Sequence, residues 1–423
     1  MSVIEQGSYS DFSRIIHDSV NAHRVPVNGT IEVTRRCPLE CAHCYNNLPM
    51  DDLAARNGEL TTEEHKRLID ELAEMGLLWL CYSGGEIFAR RDFMEIYAYA
   101  KSRGMLVTLF TNGTLVTERI ADALAANPPF TIEITLYGRS KEVYEGLTGV
   151  PGSWEKCMRG IELILERGLP LKLKTVAVSI NVHEIAAMRE FAESLGVEFK
   201  FDPMINPRID CSASPLAVRL SETQIVALDL QDPERVAEWR RLARDFAPPV
   251  PESPQLYECG GGVNSFAIDP NGELSICVLS HVDTYNVRTG FREGWEKFLL
   301  GVRTRPASRV TKCTNCALRS LCGQCAANGE LENGDPEMPV DFLCRTAHLR
   351  AEVFGIDVRP HGDCEYCIGG SHRDAIDHMA AEAMARAGEA IEQIKFAPLP
   401  AGTAASCGSG GCNGCTLTTA NIG

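Results

Sequence analysis

The chain has 423 residues, with 41 lysines and arginines against 57 aspartates and glutamates, a formal net charge of −16 and no Lys/Arg-rich run. That balance argues against a nucleic-acid binder, and 44% hydrophobic with 23% charged residues disfavours disordered and membrane classes. The 18 cysteines stand out. The opening MSVIEQGSYSDFSRIIHDSV lacks the basic start and apolar run of a secretory signal, so a cytoplasmic, reducing location is expected, where abundant cysteine means metal ligation or redox chemistry more than disulfides.

Residues 1–27 form an N-terminal extension. Over 28–215, short β-branched runs alternate with amphipathic stretches, and strands are predicted at Ile31–Val33, Leu77–Tyr82, Leu106–Phe110, Phe130–Leu136, Leu171–Val178 and Glu198–Phe201. A helix is predicted over 62–75, where Leu68, Leu72 and Met75 share a face and Thr61 with Glu64 makes a capping box. Gly76, Gly104, Gly168 and Gly196 sit where C-cap glycines belong. Six βα units imply an α/β fold, a parallel sheet with helices on its outer face, and six rather than eight implies a partial (β/α)6 barrel. Residues 216–257 read as a Pro-rich linker with one helix at Pro233–Phe246. Residues 258–350 carry seven cysteines with little periodicity, so their order is expected to depend on metal more than on a hydrophobic core. Residues 351–423 hold a helix, Ser371–Ile394, and a Cys/Gly-rich tail.

Cys37, Cys41 and Cys44 form C-x3-C-x2-C just after the first strand, at the mouth of such a barrel. Three thiolates satisfy three irons of a cubane cluster and leave one iron open. A zinc site completed by His43, or scattered buried thiols, are the alternatives. The run CPLECAHCY closely resembles the signature loop of the radical S-adenosylmethionine (SAM) enzymes, with His43 in the usually aromatic place before the third cysteine. SGGE, Ser83 to Glu86, follows the second strand and TNG, Thr111 to Gly113, the third; both match family elements in order. The resemblance covers about residues 28–215 and implies that Cys37, Cys41 and Cys44 hold a radical-generating [4Fe-4S] cluster. It further implies SAM contacts from His43, Gly84, Gly85, Glu86, Asn112, Thr135 and Asn181, and reductive SAM cleavage to a 5′-deoxyadenosyl radical.

The second cysteine region reads Cys259, Gly272-x4-Cys277, Cys313-x2-Cys316-x5-Cys322-x2-Cys325 and Cys344. Zinc ribbons place their CxxC pairs about 15–20 residues apart, too far for this spacing. It resembles the SPASM extension of radical SAM enzymes, an auxiliary-cluster domain, departing from the family in the two residues between Cys322 and Cys325. The resemblance implies one [4Fe-4S] cluster on Cys313, Cys316, Cys322 and Cys344, and another on Cys259, Cys277 and Cys325 that lacks a fourth ligand, giving three clusters in all. An open iron is favoured there. Cys364, Cys367, Cys407, Cys412 and Cys415 are further candidates for the missing ligand.

SPASM relatives chiefly modify peptides, so the resemblance implies oxidation or crosslinking of a ribosomally made peptide, with a flavodoxin or ferredoxin as reductant. Val278, in place of the acidic base of sulfatase maturases, weakens that particular reading. The short segment before the first strand leaves no room for a fused leader-binding domain, so a separate leader-peptide recognition protein is expected, and neither nucleic acid nor membrane as partner. The alternative is a small-molecule radical enzyme acting on a tetrapyrrole or sugar, with an enclosed pocket and anchors such as Arg208 and Lys174. Asp202, ending the sixth strand, is the best candidate for a substrate contact.

Overall fold

A computed structural model describes residues 9–245, 255–358 and 360–387. Strands form where β-branched and aromatic residues gather: β1 (Asn28–Glu32), β2 (Trp79–Ser83), β3 (Leu106–Thr111), β4 (Thr131–Thr135), β5 (Leu171–Val176) and β6 (Glu198–Asp202). Each pairs in parallel with the next, so that Ile31 stands beside Tyr82, Tyr82 beside Leu109, Leu109 beside Ile132 and Ile132 beside Leu171. This apolar row receives the helices. Leu68, Ile69 and Leu72 of Thr62–Glu74, Ile96 and Tyr97 of Phe93–Ser102, and Ile161 and Ile164 of Ser153–Glu166 are buried against it.

Burial alternates strictly along β3 and β5, whereas a parallel sheet covered on both faces would be buried throughout. The other face is the concave interior of the partial barrel, where Thr108, Phe110, Glu133, Thr135 and Lys174 remain half-buried. The capping box starts the first of these helices as expected: Thr61 N donates to Glu64 Oε2 at 2.7 Å and Glu64 N to Thr61 Oγ1 at 3.2 Å, a feature worth about 1 kcal/mol.

The sheet does not end at β1. β7 (Ser265–Ile268) joins it in parallel, followed by antiparallel β8 (Glu273–Ser275) and β9 (Tyr285–Asn286), giving the order β6-β5-β4-β3-β2-β1-β7-β8-β9. The sequence reading of 258–350 as a segment poor in core needs correction here. Phe266, Ile268, Leu274, Phe291, Trp295 and Leu299 are buried in the same core as Ile31. They are spread over short strands and turns, so no period betrays them. Between the barrel and this region lie two helices, Glu222–Leu230 and Pro233–Asp245. The first is buried nearly all round and therefore lacks the polar face that makes a helix visible in sequence.

The last described helix, Arg373–Ala387, lies within the expected 371–394 stretch; residues 388–394 and the tail with Cys407, Cys412 and Cys415 lie outside the described residues. Among the described residues, no helix is long and apolar enough to cross a membrane.

Candidate active site

The loop after β1 is held from three sides. Cys37 N donates to Leu48 O at 2.9 Å, Glu40 N to Thr148 O at 2.9 Å and Ala42 N to Leu147 O at 3.0 Å, which seats the loop on the end of the Lys141–Thr148 helix. Beneath it, buried Arg36 is clamped by Glu59 through two hydrogen bonds of 2.9 and 3.0 Å. Buried Glu32 accepts from Asn46 Nδ2 at 2.7 Å and from the Tyr45 hydroxyl, and burial pushes its carboxyl up to about 7. Arg208 completes the frame by donating to Cys44 O at 3.1 Å and to Asn47 Oδ1 and O at 2.8 Å each. Sequence reasoning missed Glu32, Arg36 and Glu59, since a lone charged residue gives no sign of being buried.

Burial makes Cys37 and Cys41 harder to ionise, pushing Cys37 up to about 12, and the neighbouring thiols add to this, Cys44 acting on Cys37 and both Cys44 and Cys37 on Cys41. Three ionised thiols in such a place need a cation's charge beside them. Tyr137 is in hydrogen-bond contact with Cys41, and Asn112 Nδ2 donates to Cys37 Sγ at 3.5 Å. His43, between the second and third cysteines, is held neutral by burial, its value lowered to about 4, and its Nδ1 is buried without a hydrogen-bond partner in the protein.

The SGGE segment runs directly beside Thr34–Arg36. Gly85 N donates to Thr34 O at 2.7 Å and Glu86 N to Arg36 O at 3.0 Å. A Cβ on Gly84, whose φ is +131°, would come 2.1 Å from Thr34 O, and one on Gly85 2.4 Å from Arg35 O. The close approach that requires glycine is therefore to the backbone leading into the cysteine loop. Glu86, 1% exposed, accepts from Phe88 N at 3.2 Å, Thr111 Oγ1 at 2.7 Å and Asn112 N at 2.8 Å. Its carboxylate thus joins SGGE to TNG, while burial raises it to about 7. Asn112 Oδ1 accepts from Thr114 N at 2.9 Å, and this fixes the amide whose other end meets Cys37.

The remaining predicted residues are placed as follows. Thr135 stands half-buried on the concave face, opposite Lys174 in register. Asn181 is fully buried: Nδ2 donates to Tyr137 O and Val176 O at 3.0 Å each, and Oδ1 accepts from Val178 N at 2.9 Å, so its side chain ties the β4 and β5 loops together. Asp202 accepts from Met204 N at 2.8 Å, capping the turn after β6, and is raised by burial against the opposing influence of Arg235 and Arg350. Lys174 pairs with Glu133 at 3.1 Å and covers the Phe110 ring.

In the second cysteine region, Cys313, Cys316, Cys322 and Cys325 line one cleft, and Cys259 and Cys325 line its neighbour with Glu258 and Arg319. Cys277 packs with Ile276 and Ala326. Burial pushes Cys313 up to about 11 and Cys322 up to about 12. Cys344, on the Asp341–Phe354 helix, contacts Cys364 and is near Cys322. The structure brings Cys364 and Cys367 together with two histidines that sequence reasoning passed over, His348 and His361. The signal was present as His361-x2-Cys364-x2-Cys367.

Comparison with known proteins bears on this arrangement. A family model described as the radical SAM superfamily matches residues 31–192. An AdoMet-dependent heme synthase of Methanosarcina barkeri is 29% identical over 72% of this chain and 92% of its own length. A PqqA peptide cyclase of Bradyrhizobium diazoefficiens is 26% identical over 78% of this chain and 90% of its own. Streptococcus suis SuiB, in a crystal structure with the precursor peptide SuiA, superposes with a TM-score of 0.59 at 15% identity, over 81% of this chain and 82% of that one. The sheet, the cysteine loop at its mouth and the matched segment agree: this chain carries a radical SAM domain with a partial-barrel fold, followed by a cysteine-rich region.

Proposed function

We propose that the chain is a radical SAM enzyme that oxidatively modifies or crosslinks a ribosomally made peptide. Cys37, Cys41 and Cys44 would hold a [4Fe-4S] cluster, and the fit is supported by the donor set, three half-buried thiols beside a buried imidazole nitrogen that lacks a protein partner. When bound, cluster and SAM supply reductive carbon–sulfur cleavage and a hydrogen-abstracting 5′-deoxyadenosyl radical. The protein's own part is positional. Glu86 locks SGGE to TNG, Asn112 donates to the Cys37 sulfur, and Arg208 and the Arg36–Glu59 pair hold the loop. Gly84, Gly85, Thr135 and the loop tied by Asn181 are proposed to line the SAM site. Within 258–350, Cys313, Cys316, Cys322 and Cys344 are proposed to hold one auxiliary cluster, and Cys259, Cys277 and Cys325 another whose remaining iron is open to substrate.

One observation carries the preference for a peptide. Arg208 and Lys174, the cations named as anchors for an acidic small molecule, are both committed within the protein, Arg208 to the cysteine loop and Lys174 to Glu133. A relative named as a peptide cyclase and a structural neighbour solved with a precursor peptide agree with that preference. The likeness to heme synthases supports a second reading, with a carboxylated tetrapyrrole as substrate.

Anaerobic incubation of the full chain with SAM and dithionite separates the two. Peptides encoded by neighbouring genes are expected to stimulate 5′-deoxyadenosine formation and to lose about 2 Da per pair of hydrogens removed. Stimulation by a carboxylated tetrapyrrole, with loss of carbon dioxide from it and none from any peptide, would favour the second reading.

A further inference from the structure

Cys364 and Cys367 have no part in the proposed chemistry, yet they lie in a buried cluster with metal-ligand character. The donor atoms of His348, His361, Cys364 and Cys367 all lie within 4.8 Å of one another, and all four residues are buried. His348 Nε2 is 3.5 Å from Cys364 Sγ and 3.6 Å from Cys367 Sγ, and His361 Nδ1 is 3.4 Å from Cys367 Sγ. A tetrahedral zinc ion with bonds of about 2.3 Å to sulfur and about 2.0 Å to nitrogen sets those donors about 3.5 Å apart. All three separations match that edge.

The tautomer of His348 agrees. Its Nδ1 is 2.9 Å from the main-chain oxygen of Cys344, an atom that can only accept. Nδ1 therefore carries the proton and Nε2 directs its lone pair toward the cysteines, the arrangement by which a backbone carbonyl orients a ligating imidazole. The other three donors sit on a tight knuckle. Cys364 N donates to His361 O and Cys367 N to Cys364 O at 3.3 Å each, and Gly370 N donates to Cys367 O at 2.8 Å. A Cβ on Gly370 would come 2.4 Å from Glu365 O, so the turn admits no side chain there.

An ordinary apolar core does not account for this segment. The buried residues around the knuckle are Cys344, Cys364, Tyr366, Cys367 and Ile376, three of them thiols, with two imidazoles turned toward them. Polar groups facing one another out of water are a poor source of stability without an ion to satisfy them.

We propose that His348, His361, Cys364 and Cys367 bind one zinc ion in a closed site distinct from every iron–sulfur ligand set. Four protein donors leave no coordination position for substrate, so the site is structural. Binding displaces the two thiol protons and leaves both imidazoles neutral. The ion fastens the knuckle and the Arg373–Ala387 helix to the Asp341–Phe354 helix, one turn beyond Cys344.

The test uses the full chain, produced with iron and zinc both supplied and reconstituted anaerobically. Elemental analysis is expected to find about one zinc per chain in addition to iron, and zinc-edge X-ray absorption a shell of two sulfurs and two nitrogens. The C364S/C367S double variant should lose zinc roughly tenfold or more while keeping its iron. Iron-replete protein with negligible zinc, or zinc bound only by oxygen and nitrogen, would overturn the proposal. So would a double variant that loses a cluster's worth of iron and keeps zinc. Should the double variant fail to fold, the X-ray absorption of the unaltered protein decides alone. None of these readouts depends on SAM cleavage, so the zinc site and the enzymatic reading stand or fall separately.

Discussion

At the scale of single residues, Asn112 connects the ends of β2 and β3 to the cysteine loop. Its amide oxygen is fixed by Thr114, its backbone by Glu86, and its amide nitrogen reaches Cys37 Sγ. A hydrogen bond to a cluster-bound sulfur stabilises the reduced, more negative state. Asn112→Ala should therefore keep its iron but lower the reduction potential of the cluster proposed on Cys37, Cys41 and Cys44 and slow 5′-deoxyadenosine formation several-fold; potentiometry followed by electron paramagnetic resonance checks this. An unchanged potential would mean that Asn112 acts only on the backbone. Asn112 was legible from TNG as a motif, but the destination of its side chain was not. Likewise Glu86 was legible as a strand-end carboxylate, yet its partners are Phe88, Thr111 and Asn112, residues whose approach depends on how two strands end side by side.

At the scale of elements, the Thr62–Glu74 helix shows what burial does to a titratable group. His65 is fully buried and lowered to about 3, by burial first and by the nearby Arg90 guanidinium second. The folded state therefore resists a proton that the unfolded chain accepts near 6.5. The stability associated with neutral His65 is complete above that value and is lost as pH falls, at about 1.4 kcal/mol per pH unit, down to the folded value. Between pH 6.5 and 5 this amounts to about 2 kcal/mol. Urea unfolding across that window should show the loss in the unaltered protein and a shallower slope in His65→Gln; equal slopes would contradict the assignment. Elements of strong period, such as this helix and the six barrel strands, were readable because each has one face in the core. Glu222–Leu230, buried on nearly every side, and β7, only Ser265–Ile268, were not, since neither length nor period distinguishes them from loop.

At the scale of the whole molecule, one sheet joins the radical SAM domain to the start of the cysteine-rich region through the β1–β7 pairing. Ile31 and Ile268 share a core, so the first cysteine loop and the second cysteine region are supported by the same apolar packing. The sequence made the two thiol groups visible by spacing and hid this continuity, because parallel pairing between β1 and a strand more than 200 residues later leaves no local mark. His348 was hidden for a similar reason: it reaches the His361–Cys367 knuckle only through the packing of its helix.

Three cysteine sets are proposed to hold three clusters, the first of which cleaves SAM. Anaerobic reconstitution with iron and sulfide counting, followed by chromatographic detection of 5′-deoxyadenosine after addition of SAM and dithionite, tests it most directly. About 12 irons per chain, with cleavage abolished in Cys37→Ala and about eight irons retained there, is the predicted result. About four irons, or full iron content with no cleavage of SAM, would contradict the account.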